Sequence, residues 1–255
     1  MKPTVTIVGA GLAGAEAALQ LADRNIAVKL YEMRPKTPTE AHETAHAGEM
    51  VCSNSLGSVE NHSASGLLKA ELTLLGSRFL EFANRNRVPA GSSLSVDRIR
   101  LAADVDKALS EHPKIEFIRE EVRQLPPEET PTIIASGPLT GSTLAEDLSR
   151  FTMRRHLFFF DATSPIIRAD SINFKQVFRG SRYGKGTADF INIPLTETQY
   201  NEFVSELVKA ESVSFRDFES KNLFEACLPV EEIARRGPLS LAFGPLKPVG
   251  LEDPD

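Results

Sequence analysis

Three glycines, Gly9, Gly11 and Gly14, stand at G-x-G-x-x-G spacing directly after the short β-branched run Val5–Val8. That arrangement is suited to a dinucleotide. The first glycine makes a tight turn, the second lets the backbone approach a pyrophosphate, and the third lets a helix pack closely on the strand. A helix opening there offers free N–H groups and a partial positive charge to the phosphates. Ala10, Leu12 and Ala13 fill the motif, and their small or apolar side chains leave the backbone to do the binding. Glu32 falls 21 residues after Gly11, at the end of the run Ile26–Tyr31. An acid in that place accepts hydrogen bonds from ribose hydroxyls. It suits FAD and NAD alike, so the motif alone does not choose between them.

Other residues carry chemistry at other spacings. Thr132–Gly137 reads as a short apolar strand that ends in the small residues Ala135, Ser136 and Gly137. A strand passing beneath a flavin needs such residues, although other strand–turn units have them too. His42-Glu43-Thr44-Ala45-His46 matches H-E-x-x-H, in which two histidines on one helix face hold zinc and the glutamate acts as base. Here it follows Pro35 and Pro38, lacks the longer histidine pattern and has no long helical stretch around it, so a polar loop near the cofactor is expected and no metal. Cys52 and Cys227 are too few and too far apart for a disulfide framework or a zinc site. Each is read either as a buried small residue or as a nucleophile, since a thiolate is the strongest nucleophile near neutral pH.

The elements that must position these groups follow from the apolar pattern. Val5–Val8 forms a first strand, Ala15–Arg24 a helix ended by Asn25, and Ile26–Tyr31 a second strand closed by Glu32. The fold class is therefore α/β, a Rossmann-like domain with a parallel sheet and a βαβ nucleotide module. At 41% apolar and 25% charged residues the composition is that of a globular protein. No apolar run approaches the ~20 residues that span a bilayer, and the N-terminus lacks the pattern of a signal peptide. A cytoplasmic protein with no membrane partner is expected. The net charge of −6 argues against generic polyanion binding, but it hides a split. Residues 150–189 carry eight bases and three acids, a local +5, whereas residues 190–255 carry six bases and twelve acids. The basic stretch is a candidate phosphate-contacting surface, or simply a solvated face.

Along nearly its whole length the sequence resembles the folate- and FAD-dependent tRNA (uracil-5-)-methyltransferases, the TrmFO family. The resemblance is carried by Val8–Ala18, Leu30–Pro35, Met50–Leu56, Gly66–Glu71, Val88–Gly91, Val96–Arg98 and Pro131–Thr140. It continues through Asp161–Ile166, Ala169–Ile172, Ser181–Tyr183, Phe224–Pro229 and Phe243–Leu251. The cysteine segments and the last stretch are specific to that family; the glycine motif is not. The resemblance implies FAD as cofactor, with methylenetetrahydrofolate and NAD(P)H as co-substrates and the T-loop of tRNA as partner. It implies methylation of uridine at C5, with Cys52 and Cys227 catalytic. Cys227 is read as the thiolate that adds to uracil C6, and Cys52 as guarding or assisting the one-carbon unit at the flavin; the reverse division remains open. The uridine must leave its stack to be reached.

The domain reading places an FAD-binding domain at 1–150 and the start of an α+β insertion domain at 151–255. Family members are considerably longer, so the expectation is a chain truncated at its C-terminus, lacking the rest of the insertion and the segment that returns to the flavin. Three other readings stand beside this one: the same chemistry on ribosomal RNA, an FAD-dependent oxidoreductase of small molecules, and an inactive remnant.

Overall fold

A computed structural model of the chain describes residues 4–39, 41–51, 53–153, 167–211 and 228–251. The chain divides into two compact units, Met1–Val88 with Ser93–Thr163, and Pro89–Ser92 with Ser164–Asp255.

The first unit opens on β1 (Val5–Val8), α1 (Leu12–Asp23) and β2 (Val28–Tyr31). The helix starts at Leu12, inside the glycine motif, rather than at Ala15. Gly11, in an extended conformation, serves as its N-cap, so the chain turns helical as soon as the loop is made. Asn25 ends it in a left-handed conformation, φ 62°. The second strand begins two residues later than its apolar run, because the Ile26 N–H is still taken by the Leu21 carbonyl at 3.0 Å. Three buried alanines, Ala15, Ala18 and Ala22, let α1 lie close against the sheet.

Next come β3 (Ser55–Ser58), α2 (Ala64–Leu74), α3 (Arg78–Arg85), β4 (Arg87–Val88), β5 (Ser93–Val96) and α4 (Arg98–Glu111). Serine or aspartate caps each of these three helices: Ser63, Ser77 and Asp97 accept from N–H groups of the first turn. β6 (Ile115–Ile118), β7 (Thr132–Ile134) and α5 (Ser142–Thr152) complete the unit.

Its main sheet is parallel throughout, in the order β6–β2–β1–β7, with Val8 beside Tyr31 on one flank and Ile134 on the other. A smaller antiparallel sheet runs β3–β5–β4. Ile7, Leu19, Leu30, Leu94, Leu101 and Leu109, none more than 2% exposed, are the largest side chains of one continuous core. The strand order places β1 centrally, with its carboxyl end and the glycine turn between β2 and β7. In open α/β sheets ligands bind at such carboxyl ends.

The second unit contains the antiparallel pair β8 (Phe178–Arg179) and β9 (Ile191–Asn192). Helices α6 (Glu197–Lys209), α7 (Val230–Arg235) and α8 (Ser240–Phe243) follow. A capping box of Thr196 and Gln199 starts α6. Val204, Ala234 and Leu241 form a small core there, with Tyr200, Leu207 and Ile233 packed on it. Among the described residues, no helix is long and apolar enough to cross a membrane.

Candidate functional site

The site is built on the turn between β1 and α1. Gly9 has φ +99°, which L side chains rarely adopt, and a Cβ there would lie 2.6 Å from the Ala135 carbonyl oxygen. A Cβ on Gly14 would lie 1.8 Å from the Gly9 carbonyl oxygen and 3.3 Å from the Ala135 side chain. Helix, turn and the end of β7 therefore touch through backbone. Gly11 is the opposite case, since a Cβ there would meet nothing within 4 Å. Its open side faces a cavity of about 490 Å³ within this unit, lined by Val8, Gly9, Gly11, Leu12, Ala13, Glu32 and Gly137 among others. A volume of that order suits a bound small molecule or cofactor.

The eight expected cofactor residues fall into this arrangement in different ways. Gly9, Gly11, Leu12, Ala13, Glu32 and Gly137 meet at the cavity wall. Gly14 is buried behind them as a packing residue. Ala10 is also fully buried, and its part is played by the main chain: its N–H donates to Glu32 Oε2 at 3.1 Å, and its carbonyl accepts from the Gly48 N–H at 2.8 Å. Gly137, φ +65°, follows β7 and opens a short helical turn, Gly137–Leu139. Thr140 Oγ1 donates to the Gly137 carbonyl and shares a second hydrogen bond with Ser136 Oγ, both at 2.7 Å, which ties that turn down.

Glu32 is 6% exposed and belongs to a buried charge network absent from the sequence reading. Arg34 Nε and the Arg34 N–H both donate to Glu32 Oε1, at 2.9 and 3.1 Å, and Arg34 Nη1 reaches Glu49 Oε2 at 3.2 Å. Burial, the largest influence, pushes the Glu32 carboxyl up. The Arg34 hydrogen bond and charge, with the N–H groups of Arg34 and Ala10, outweigh it and hold the group below the usual carboxylate range. Glu49 follows the same logic: burial raises it, while the Thr44 hydroxyl, the N–H groups of Glu43 and Thr44, and the His42 charge bring it lower. Nothing in the spacing of Arg34 and Glu49 announces this pair, and both lie in irregular segments.

Residues 41–50 contain no helix. His42 and His46 therefore do not share a helix face, and the zinc-protease geometry is absent. His42 lies against the cavity, and its Nδ1 is 2.6 Å from Thr39 Oγ1. His46 sits 3.7 Å from Asp106, and Glu43 pairs with Arg98 at 2.7 Å. Met50, Val51, Ser53, Ser55 and Leu56 extend the cavity wall along the segment around position 52. Lys69 fastens that segment by donating to the Leu56 carbonyl at 2.7 Å, and to the Ser65 hydroxyl at 2.6 Å. Cys52 and Cys227 both lie outside the described residues, as do 154–166 of the basic stretch.

A parallel sheet, a glycine turn feeding a helix N-terminus, and a buried acid at the end of the neighbouring strand define an α/β protein of the Rossmann-like class, in which such turns commonly meet nucleotides. Residues 4–255 match the family model described as glucose inhibited division protein A. The chain belongs to that family.

It is 49% identical over 254 residues to methylenetetrahydrofolate–tRNA-(uracil-5-)-methyltransferase TrmFO of Prochlorococcus marinus (strain NATL1A), covering 99% of this chain and 54% of that protein. It is also 49% identical to the protein of the same description from Aquifex aeolicus (strain VF5), covering 100% of this chain and 57% of the relative. The chain thus spans about half the length of the curated relatives it matches. A solved structure of Aquifex aeolicus GidA in its form I crystal is similar at 17% identity and TM-score 0.43, over 54% of this chain and 26% of that one.

Proposed function

We propose that this chain carries the FAD-binding part of a flavoenzyme that methylates C5 of the T-loop uridine in tRNA. The observation that carries the reading is the cavity at the carboxyl end of β1, where open space at Gly11 and a buried, charged Glu32 meet. It is supported by relatives whose names specify methylenetetrahydrofolate, tRNA and uracil-5-methylation. The residues present fit the cofactor. Gly9 and Gly11 leave the backbone bare for a pyrophosphate, the N-terminus of α1 supplies N–H donors, and Glu32 supplies an acceptor for the adenosine ribose. Gly137 and the turn after β7 leave room beside them.

Bound FAD would carry electrons from NAD(P)H to the one-carbon unit of methylenetetrahydrofolate. The protein's own share is nucleophilic and electrostatic. Cys227 adds to uracil C6, which makes C5 nucleophilic, and Cys52 assists beside the flavin. The basic residues of 150–189 meet tRNA phosphates. In domain terms, 1–150 holds the cofactor and 151–255 begins the part that meets the substrate.

The absorption spectrum of the purified protein tests the cofactor. A flavin spectrum is expected, either as isolated or after adding FAD; a colourless protein that FAD does not restore overturns the reading. In the whole flavoenzyme of which this chain carries a part, unmodified tRNA, methylenetetrahydrofolate and NADH should yield ribothymidine, and Cys227→Ala should abolish it while keeping the flavin. Undiminished product from that variant removes Cys227 as the nucleophile.

A further inference from the structure

Arg34 is a buried cation, 3% exposed, that lies against the cavity and has no part in the scheme above. Two of its N–H groups occupy Glu32 Oε1, at 2.9 and 3.1 Å. Its Nη1 donates to Glu49 Oε2 at 3.2 Å and to the Thr44 carbonyl at 3.3 Å. Glu32 Oε2 has a single donor among the described residues, the Ala10 N–H at 3.1 Å. Each oxygen of a carboxylate can accept two hydrogen bonds. One oxygen of Glu32 is therefore filled from within the protein, and the other has a place left.

Resting on the reading of this cavity as an FAD site, we propose that Arg34 is a positioning residue: it holds Glu32 Oε1 so that Oε2 is aimed at, and reserved for, a hydroxyl of the adenosine ribose. Two buried carboxylates, Glu32 and Glu49, share this one guanidinium. Without a cation between them, like-charge repulsion and burial would protonate one of the two. A protonated Glu32 turns from acceptor into donor and competes with the ribose hydroxyl for its partner. The planar fork of arginine reaches both acids at once, which the single ammonium of a lysine does not reproduce. Glu49 in turn accepts the N–H groups of Glu43 and Thr44, at 2.8 and 3.1 Å, so the anchor for Arg34 is itself held by the 43–49 loop.

The test compares two ligands, FAD and the analogue whose adenosine carries 2′,3′-dideoxyribose, bound to the full chain and followed by flavin fluorescence. Wild-type protein should prefer FAD by about tenfold or more, as expected for hydrogen bonds to a charged acceptor. In Arg34→Met that preference should fall to within about twofold, while the analogue binds nearly as it does to wild type. A merely structural role would weaken both ligands equally. Arg34→Lys, which retains charge in the site, should recover part of the preference, and it serves alone if Arg34→Met does not fold. A wild-type preference retained in full by Arg34→Lys and by any folded Arg34→Met overturns the proposal. So does a wild-type protein that binds both ligands alike, although the FAD reading then survives. A wild-type protein that binds neither overturns the FAD reading, and the proposal with it.

Discussion

In the first unit the glycine turn rests on a continuous core in which Ile7, Leu19, Leu30 and Leu101 are fully or almost fully buried. In the second, among the described residues, the buried apolar cluster is Val204, Ala234 and Leu241, and the sheet is a pair of two-residue strands. The charged groups differ in the same way. Glu32, Arg34 and Glu49 are shielded and mutually bonded, whereas Arg168 and Asp170 pair in open solvent. Surface pairs of that kind contribute little. The contrast separates two kinds of surface: one is preformed by main-chain packing, and the other is built from long, solvated side chains.

This difference can be broken most directly in the two cores. Leu30→Ala should cost about 4 kcal/mol in urea unfolding, and Leu241→Ala about 2 kcal/mol, since a small cluster has fewer neighbours to lose. Equal costs would erase the distinction. Next in size is Gly14→Ala, which should destabilise the first unit by about 3 kcal/mol because its Cβ has no space beside the Gly9 carbonyl. Gly11→Ala sharpens the point. It should shift stability by no more than about 1 kcal/mol at this N-cap, yet weaken FAD binding by about tenfold or more, since the added methyl enters the ligand's space. A Gly11→Ala protein with undiminished flavin affinity would show that the turn does not contact the ligand.

The smallest effect concerns pH. Glu49 is held below the ordinary glutamate value of about 4.3. The stability it adds is present above that value and is lost as pH falls through its lower folded value. Glu49→Gln should therefore flatten the acid side of a plot of Tm against pH and leave the neutral region parallel to wild type. An unchanged acid limb would remove Glu49 from the shielded network.

Much of the first unit was legible because its signals are local. Val5–Val8, the glycine spacing and Glu32 at the end of β2 each follow from a few consecutive residues. The helix start at Leu12 was misjudged because Ala15–Arg24 has the stronger helical composition, while the cap that decides the start is a glycine. Arg34 and Glu49 could not be paired in advance. Their contact depends on a loop that folds back until the Gly48 N–H reaches the Ala10 carbonyl, and no periodicity encodes such a return. The histidine motif is the converse case: its spacing is a helix spacing, but Pro35 and Pro38 before it speak for a loop, and residues 41–50 are not helical. The β3–β5–β4 sheet was also missed, since serine-rich strands such as Ser55–Ser58 have neither an apolar run nor a clean alternation.

The contact between Gly14 and Gly9 has a consequence for binding entropy. With no room for one added carbon between helix and turn, the N–H groups at the start of α1 have few orientations left to lose when a ligand arrives. Their ordering is completed during folding. A ligand docking there forgoes most of the immobilisation cost that a floppy loop would impose.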